Sequence, residues 1–417
     1  MASRYVANTP DEQTKMLGVI GAGSLEDLLV KIPPKARLPR PLGLTPALAE
    51  TDLIRHMAAL AARNANAESH VSFLGAGSYD HYIPSPINHM VLRGEFLTAY
   101  TPYQPEASQG TLRTIYEYQT MIAELTGMDV ANASIYDGAS SLAEAALMAH
   151  SVTDRRELVL SRAVHPLYKR VTATYCEGPG IRLRDLPAPD GVTDLAAARQ
   201  LVGAKTAALV VQTPNFYGCL EDVAAAAEIA HAAGALLIVV ADPVNLGVFG
   251  AKSELVRRMP GRLVGATVDR DGKRGFVLTL QTREQHIRRA KATSNICTNV
   301  ALCALMATIY LATLGRRGLV KVGELSTAKA HYAAERLAKI PGVSLRFTAP
   351  FFKEFALKLP KAPDRVIPRL ARQGFLAGVP LKTFDRALAD CLLVAVTEKR
   401  TKAEIDAFAA ALEKAVA

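Results

Sequence analysis

The chain has 417 residues, of which half are hydrophobic and 21% are charged. This balance excludes an intrinsically disordered chain and predicts a large buried core spread over two or three domains. Lys and Arg together outnumber Asp and Glu by 49 to 39, which gives a net charge of +10. The excess is compatible with an acidic partner, with a nucleic acid or with ordinary surface charge.

The cysteines and the apolar stretches narrow the class of protein further. Five cysteines occur at wide spacing and without a CxxC pair, which argues against a disulfide framework or a zinc ribbon. The most apolar stretch, residues 300–314, is shorter than the roughly 20 residues that a membrane-spanning helix needs and predicts a buried helix. The N-terminal sequence lacks the apolar segment of a signal peptide. We therefore expect a soluble, cytoplasmic protein without a membrane partner.

Three regions follow one another along the chain. Residues 1–70 predict a helical, proline-rich arm, because prolines interrupt every regular pattern between Lys31 and Pro46. Residues 71–320 predict a large α/β domain. Residues 321–417 predict a small C-terminal α/β domain whose last helix has Thr401 at its N-cap and Glu404 at the capping-box position.

The large domain alternates helices with continuous apolar strands, such as AALVVQ at 207–212 and ALLIVV at 235–240. Apolar strands of this kind predict a parallel sheet that is buried on both faces. Because the chemistry of such sheets lies beyond the carboxyl ends of the strands, Asp242 draws attention directly after the second strand. An Asp in this place suits the pyridinium nitrogen of a cofactor, and it equally suits a cap for the strand end.

Two further positions are compatible with cofactor binding and also with an ordinary structural role. His165 follows a short strand, where it could stack on a flat ring or serve as an ordinary loop histidine, and the second reading is favoured. Ser140 lies in the sequence DGASS, which opens a helix. Helix N-termini bind phosphate well, but most such openings are only caps.

The most unusual loop is YTPYQPE, residues 100–106. Prolines fix the loop, and fixed polar loops often contact ligands or partner chains, although a rigid solvated loop is the alternative. Its candidate site residues are Tyr100, Tyr103, Gln104 and Glu106. The basic run from Arg283 to Lys291 lacks interleaved aromatic residues, so we expect a solvated face or a subunit contact rather than a nucleic-acid site. The nine histidines form no cluster with metal-ligand spacing, and we expect no metal.

Several segments together resemble one family over nearly the whole chain. They are FLGAGSYDHYIPSPI, the stretch from EFLTAYTPYQPEASQG to DGASSLAEAALMA, and MPGRLVGATVDRDGKRGFVLTLQTREQHIRRAKATSNICTN, with NTPDEQTKML near the N-terminus. They are similar to the alpha subunit of the decarboxylating glycine dehydrogenases, the P-proteins of the glycine cleavage system.

The resemblance implies an aspartate-aminotransferase-like fold of the pyridoxal-phosphate type and an oxidoreductase that acts in glycine catabolism. It implies a homologous beta subunit, in an αβ or α2β2 assembly, that carries the pyridoxal phosphate and its Schiff-base lysine. That assembly decarboxylates glycine and passes the aminomethyl group to the lipoyl arm of the H-protein. In this chain the resemblance makes the YTPYQPE residues candidates to complete the partner's site. It leaves Ser140, His165 and Asp242 as vestiges of a cofactor site, so that no catalytic or cofactor-binding residue is expected on this chain alone.

The sequence also departs from the family pattern. Between Phe249 and Met259 the chain is too short for a strand, a loop and a helix, so one sheet strand and its loop are absent near residues 249–252. A non-catalytic structural or regulatory homologue therefore stays open as an alternative. A self-sufficient pyridoxal-phosphate lyase or aminotransferase is another, but neither Lys252 nor Lys273 stands where a Schiff-base lysine would be expected. The basic charge is then best read as a face for a partner subunit or an acidic carrier protein.

Overall fold

The computed structural model describes residues 7–38, 40–241 and 248–417, and the chain divides into two compact units, 1–64 and 65–417. The described part of the first unit has three α-helices, α1 (Pro10–Ile20), α2 (Leu25–Leu28) and α3 (Glu50–Ala61). Helix α1 begins with a capping box, in which Thr9 and Glu12 satisfy each other's free backbone N–H groups. None of the residues described in these helices is buried.

The second unit combines eleven described α-helices with fourteen strands. The helices are α4 (Ser85–Val91), α5 (Gly94–Leu97), α6 (Gln109–Thr126), α7 (Gly138–Thr153), α8 (Pro166–Glu177), α9 (Leu195–Leu201), α10 (Val223–Ala232), α11 (Gln285–Arg288), α12 (Ala301–Leu337), α13 (Pro363–Ala371) and α14 (Lys402–Val416). The strands are β1 (Val71–Ser72), β2 (Val130–Ala131), β3 (Glu157–Ser161), β4 (Arg182–Leu186), β5 (Thr206–Thr213), β6 (Leu236–Ala241), β7 (Gly250–Ala251), β8 (Leu263–Val268), β9 (Arg274–Thr279), β10 (Ser344–Leu345), β11 (Glu354–Lys358), β12 (Phe375–Leu376), β13 (Val379–Pro380) and β14 (Cys391–Ala395).

The central sheet has the order β4-β3-β5-β6, and all of its strands are parallel, as the apolar runs predict. Val159 and Leu209 pack on one face against Ala226 of α10. Leu158 packs on the other face against Ala146 of α7. Helices thus cover both faces, which explains why β3 and β5 read as continuous apolar runs.

Strand β6 departs from the expectation of a buried strand. Its residues are half-buried or exposed, and Val239 keeps 39% of its surface accessible. Among the described residues β6 pairs with β5 alone, while β7 pairs with β2 in a separate antiparallel sheet. The prediction of a buried strand was wrong, because the local sequence does not determine how many neighbours a strand has in its sheet.

The last part of the chain forms an antiparallel sheet of order β10-β11-β14-β13. Helix α14 packs Ile405, Phe408 and Leu412 into its core and has the predicted capping box between Thr401 and Glu404. Helix α12 bends at Gly315, where φ is +58°. The predicted domain boundary at residue 320 lies inside α12 and stays a prediction, as does the boundary at residue 70.

Candidate functional site

The YTPYQPE loop connects α5 to α6 and is fixed at both ends. Pro102 is buried, and Pro105 opens a single 3-10 turn that ends at Ala107. Gln109, the first residue of α6, donates from Nε2 to the carbonyl oxygens of Pro105 (2.8 Å) and Phe276 (2.9 Å), while its Oε1 accepts from the Phe276 amide. The loop is therefore attached to strand β9.

The four candidate residues of this loop do not gather around one point. Tyr100 is 90% exposed, and Gln104 and Glu106 also face solvent. Tyr103 is 47% exposed but has polar contacts within the chain. The loop thus presents three exposed side chains and one tyrosine that is held by contacts within the chain.

The anchor of Tyr103 is Arg262, which lies directly before β8 and is 4% exposed. Its Nη2 donates to the Tyr103 hydroxyl oxygen (3.2 Å), and its guanidinium lies 5.5 Å from the centre of the tyrosine ring. The edge of the ring meets His286 at a centroid distance of 5.6 Å. Glu284, itself 6% exposed, places Oε2 3.5 Å from Nε of Arg262 and 3.6 Å from Nδ1 of His286.

Sequence reasoning missed Arg262 and Glu284. One signal was available, because Arg262 stands in MPGRLVG, immediately before an apolar strand. A charge in such a place either faces solvent or has a buried partner. The choice between them could not be read from the sequence, since Tyr103 is 159 residues away.

Arg283 corrects the expectation of a solvated basic run. Arg288, Arg289 and Lys291 are exposed, but Arg283 is buried. Its guanidinium donates to the carbonyl oxygens of Met259 and Gly261. Burial lowers the pKa of this arginine, and neighbouring Glu284 opposes that shift. Arg283 therefore fixes the turn before Arg262 instead of offering charge to a partner.

The peptide group of Cys297 links this cluster to the start of α7. Its carbonyl oxygen accepts from Arg262, and its N–H donates to the Tyr136 hydroxyl (3.1 Å). Tyr136 directly precedes Asp137, the N-cap of α7. The anchored loop and the DGASS helix opening thus belong to one connected region.

At that opening Asp137 behaves as a cap. Its Oδ1 accepts from the Ser140 amide (2.7 Å), so this N–H is already satisfied. Ser140 is 8% exposed. The backbone donor that would suit a phosphate at Ser140 is used within the chain.

His165 is 7% exposed and hydrogen-bonded at both ring nitrogens. Nδ1 accepts from the Leu167 amide (3.2 Å) and Nε2 lies 3.1 Å from the Ala76 carbonyl oxygen, which requires a proton on Nε2. Burial lowers the pKa of His165 and the hydrogen bond to Ala76 opposes the shift, so the ring is neutral near pH 7. Asp242, the third cofactor candidate, lies outside the described residues.

The flat ring that His165 stacks on is Tyr168, at a centroid distance of 4.7 Å and an angle of 27°. Tyr168 also lies against Gly138, where a Cβ would come within 2.5 Å of the tyrosine oxygen. Sequence reasoning missed this residue, although it lies only three positions after His165, the N-cap of α8. Tyr168 thus connects the helix opening with His165.

Among the residues that the structure describes, no group of three or more His, Cys, Asp or Glu side chains is placed to hold a metal ion. Across the same described ranges, no helix is long and apolar enough to cross a bilayer.

Comparison with known proteins gives full-length similarities. A sequence model of the family "Glycine cleavage system P-protein" matches residues 3–251 and 245–412. The chain is 49% identical over 440 aligned positions to the Moorella thermoacetica protein named "Probable glycine dehydrogenase (decarboxylating) subunit 1", with 98% of each chain covered. It is also 49% identical over 437 positions to the protein of the same name from Chlorobium phaeobacteroides, covering 97% of this chain and 98% of the relative.

Solved structures agree with these similarities. An inhibitor-bound glycine decarboxylase (P-protein) of the glycine cleavage system is 43% identical, with a TM-score of 0.87 and coverage of 99% of this chain and 100% of the other. A cysteine desulfurase from Escherichia coli is 17% identical with a TM-score of 0.63, covering 84% of this chain and 95% of its own, and supports the fold alone. The aspartate-aminotransferase-like fold of pyridoxal-phosphate enzymes, expected from the sequence, is confirmed.

Proposed function

Because the chain belongs to the glycine cleavage system P-protein family, we propose that it acts as subunit 1 of a decarboxylating glycine dehydrogenase. The observation that carries this proposal is the near-complete coverage, in both directions, of relatives that bear the name of subunit 1. A numbered subunit requires a partner, and we assign that role to a homologous beta subunit. The choice between αβ and α2β2, like the cytoplasmic location, stays a prediction.

We place the pyridoxal phosphate on the beta subunit, because the described residues of this chain do not fit it. Tyr168 stacks on His165 and touches Gly138, so a protein side chain occupies the space between the helix opening and the histidine. The Ser140 amide already donates to Asp137. Lys252 and Lys273 are exposed, beside a 3-10 turn and a hairpin turn respectively.

In the proposed complex, the beta subunit's cofactor supplies the electron sink for loss of CO2 from glycine. The contribution of this chain is the loop with Tyr100, Tyr103, Gln104 and Glu106. Its exposed side chains can enter a site on the partner, while Gln109 attaches the base of the loop to strand β9. The loop then orients substrate and excludes water, and the aminomethyl product leaves on the lipoyl arm of the H-protein.

The predicted absence of a strand and loop near residues 249–252 stays a proposal, supported by three observations. Strand β6 has one sheet neighbour among the described residues, and its apolar side chains are half-exposed. The two stretches matched by the family model meet at residues 245–251. The alignment to the Moorella relative extends over 440 positions, more than the 417 residues of this chain.

Co-expression with a beta subunit tests the proposal. The purified pair, supplied with H-protein, should exchange the carboxyl group of glycine with labelled bicarbonate. A chain that binds no beta subunit, or a pair that forms without exchange, would favour the non-catalytic structural alternative. A visible absorbance band on the isolated chain that borohydride abolishes would instead favour the self-sufficient enzyme.

Variants of the loop test its role within the pair. Tyr103→Phe and Gln104→Ala should each lower the exchange rate by about tenfold without changing subunit association, since misplaced polar contacts weaken the reaction and not the assembly. Tyr82→Phe is the matched control, because Tyr82 is 61% exposed and lies outside this loop. Exchange rates equal to that of the unmodified pair would remove the loop from the site.

A further inference from the structure

We propose that Arg262 is a positioning residue, which sets the orientation of Tyr103 toward the partner's active site. This inference rests on the proposed function, because it assumes that Tyr103 faces that site. The inference goes beyond the proposed function because it assigns a role to a buried arginine that would not itself touch the substrate.

The geometry holds Tyr103 from two directions. The hydrogen bond from Nη2 of Arg262 fixes the hydroxyl oxygen at 3.2 Å, and the guanidinium lies 5.5 Å from the ring centre. The edge contact with His286 sets the tilt of the ring at 70°. Because Tyr103 is 47% exposed, these contacts hold one part of the ring while another part stays accessible to a partner.

Arg262 is itself held by the chain. Its Nη2 also donates to the Cys297 carbonyl oxygen, and its Nε lies 3.5 Å from Oε2 of Glu284. Arg283, the first residue of the basic run, donates to the carbonyl oxygen of Gly261 (3.0 Å) and so fixes the peptide just before Arg262. The guanidinium of Arg262 therefore has little conformational freedom, and its contacts restrict the orientation of Tyr103.

Stability alone would not favour the buried charges of Arg262 and Glu284. Within the described residues, Nε and Nη1 of Arg262 and Oε1 of Glu284 are buried without a hydrogen-bond partner. Unsatisfied buried polar atoms destabilise a fold, and a well-packed apolar pair is often as stable as a buried ion pair or more so. A requirement on the position of Tyr103 explains why the charges are present.

A double-mutant cycle in the co-expressed pair tests the inference. Arg262→Met keeps much of the side-chain volume and removes the donors, so we expect it to lower glycine–bicarbonate exchange about tenfold, as Tyr103→Phe does. If Arg262 acts through Tyr103, the double variant should be no slower than either single variant. Arg274→Met is the control, because it removes another arginine over a tyrosine ring, that of Tyr116, outside the loop.

The outcomes separate the two ideas. If Tyr103→Phe is itself without effect, the proposed function of the loop fails. If Tyr103→Phe lowers exchange while Arg262→Met does not, or if the two losses multiply, the loop keeps its role and Arg262 loses the one assigned here.

A second measurement needs no activity and covers a variant that assembles poorly. The chain contains no tryptophan, so Tyr103→Trp places a single indole in the loop. Adding Arg262→Met should increase acrylamide quenching of this tryptophan about twofold, while adding Arg274→Met should leave it unchanged. An indole has no hydrogen-bond acceptor, so this pair tests the contact of the guanidinium with the ring. Equal quenching with and without Arg262 would overturn the part of the inference that this contact carries.

Discussion

Tyr168 packs its phenol ring against Gly138, the first residue of helix α7, so closely that a side chain on the glycine would collide with it. A Cβ at position 138 would lie 2.5 Å from the tyrosine oxygen and 2.8 Å from the ring carbon that bears it. The same ring stacks on His165 and packs beside Leu142 and Leu160. The glycine is therefore required by a side chain of the neighbouring helix, and not by its own backbone conformation.

We predict that Gly138→Ala lowers the free energy of unfolding by about 1–3 kcal/mol, because Tyr168 must leave its packed position. The loss should outweigh the gain of up to about 1 kcal/mol that alanine brings to a helix. Urea unfolding measures the change. Gly110→Ala, in the first turn of α6, is the matched control, since a Cβ there meets nothing within 4 Å. Equal stability of the two variants would contradict the packing described here.

Elements that depend on local chemistry could be predicted from the sequence. Helix α14 begins at its predicted capping box, because Thr401 and Glu404 are three residues apart and need no other part of the chain. Helix α6 ends at Gly127, which adopts the left-handed conformation that glycine allows (φ +68°). Asp271-Gly272, a dipeptide typical of hairpin turns, likewise lies between β8 and β9.

Features that depend on distant residues could not be predicted. Arg283 belongs to a basic run in the sequence, yet it is buried because the carbonyl oxygens of residues more than twenty positions earlier face it. Arg262 and Tyr103 meet only through the tertiary fold. The resemblance to a family predicts a role for the YTPYQPE loop, which stays a prediction. The contacts that hold this loop join residues that lie far apart in the sequence.

A second prediction concerns Glu144, which is 2% exposed within α7. Burial raises the pKa of this carboxyl to about 7, and a hydrogen bond with Ser294 opposes the shift. The folded chain therefore keeps a proton that the unfolded chain releases near its ordinary pKa of 4.5. Stability falls as the pH rises between these two values, by up to roughly 3 kcal/mol.

Glu144→Gln removes this dependence, because the amide stays neutral at every pH. Relative to the unmodified chain, the variant should gain stability as the pH rises from about 5 to 8. Urea unfolding at intervals of one pH unit measures the gain, and Glu413→Gln, at an exposed position of α14, serves as the control. A difference between variant and unmodified chain that is constant over this range would show that Glu144 titrates normally.

A third prediction concerns Glu398, whose pH dependence has the opposite sign. Burial alone would raise its pKa, but hydrogen bonds from Nδ1 of His81 (2.6 Å) and from the Tyr82 amide (2.7 Å) hold the pKa below its ordinary value. The electrostatic interaction with His81 lowers the pKa of Glu398 further. The stabilisation is complete above the unfolded pKa of Glu398 and is lost as the pH falls through the folded one.

Glu398→Gln should therefore cost about 1–3 kcal/mol near pH 7, as expected when a buried charge-assisted hydrogen bond is lost. The deficit should shrink as the pH falls from 5 to 3, because the unmodified carboxylate then becomes protonated as well. Unfolding by urea at these pH values provides the measurement, again with Glu413→Gln as the control. A deficit that is the same at pH 7 and pH 3 would mean that the charge of Glu398 does not contribute.

The fourth prediction concerns the free edge of strand β6. An apolar strand with an unpaired backbone edge is a template for pairing with another chain. Val239, in the middle of β6, is 39% exposed, and the strand pairs with β5 alone within the described part of the chain. We therefore expect the chain without its partner subunit to self-associate as its concentration increases.

Val239→Lys should suppress this association, because a charge at the edge opposes strand pairing. Light scattering over a concentration series measures the effect. The control is Val268→Lys, which places the same charge at a more exposed valine (66%) on the β8–β9 hairpin, away from the β6 edge. If both lysine variants associate as the unmodified chain does, the free edge of β6 is not the contact, and the support that it gives to an absent neighbouring strand is removed.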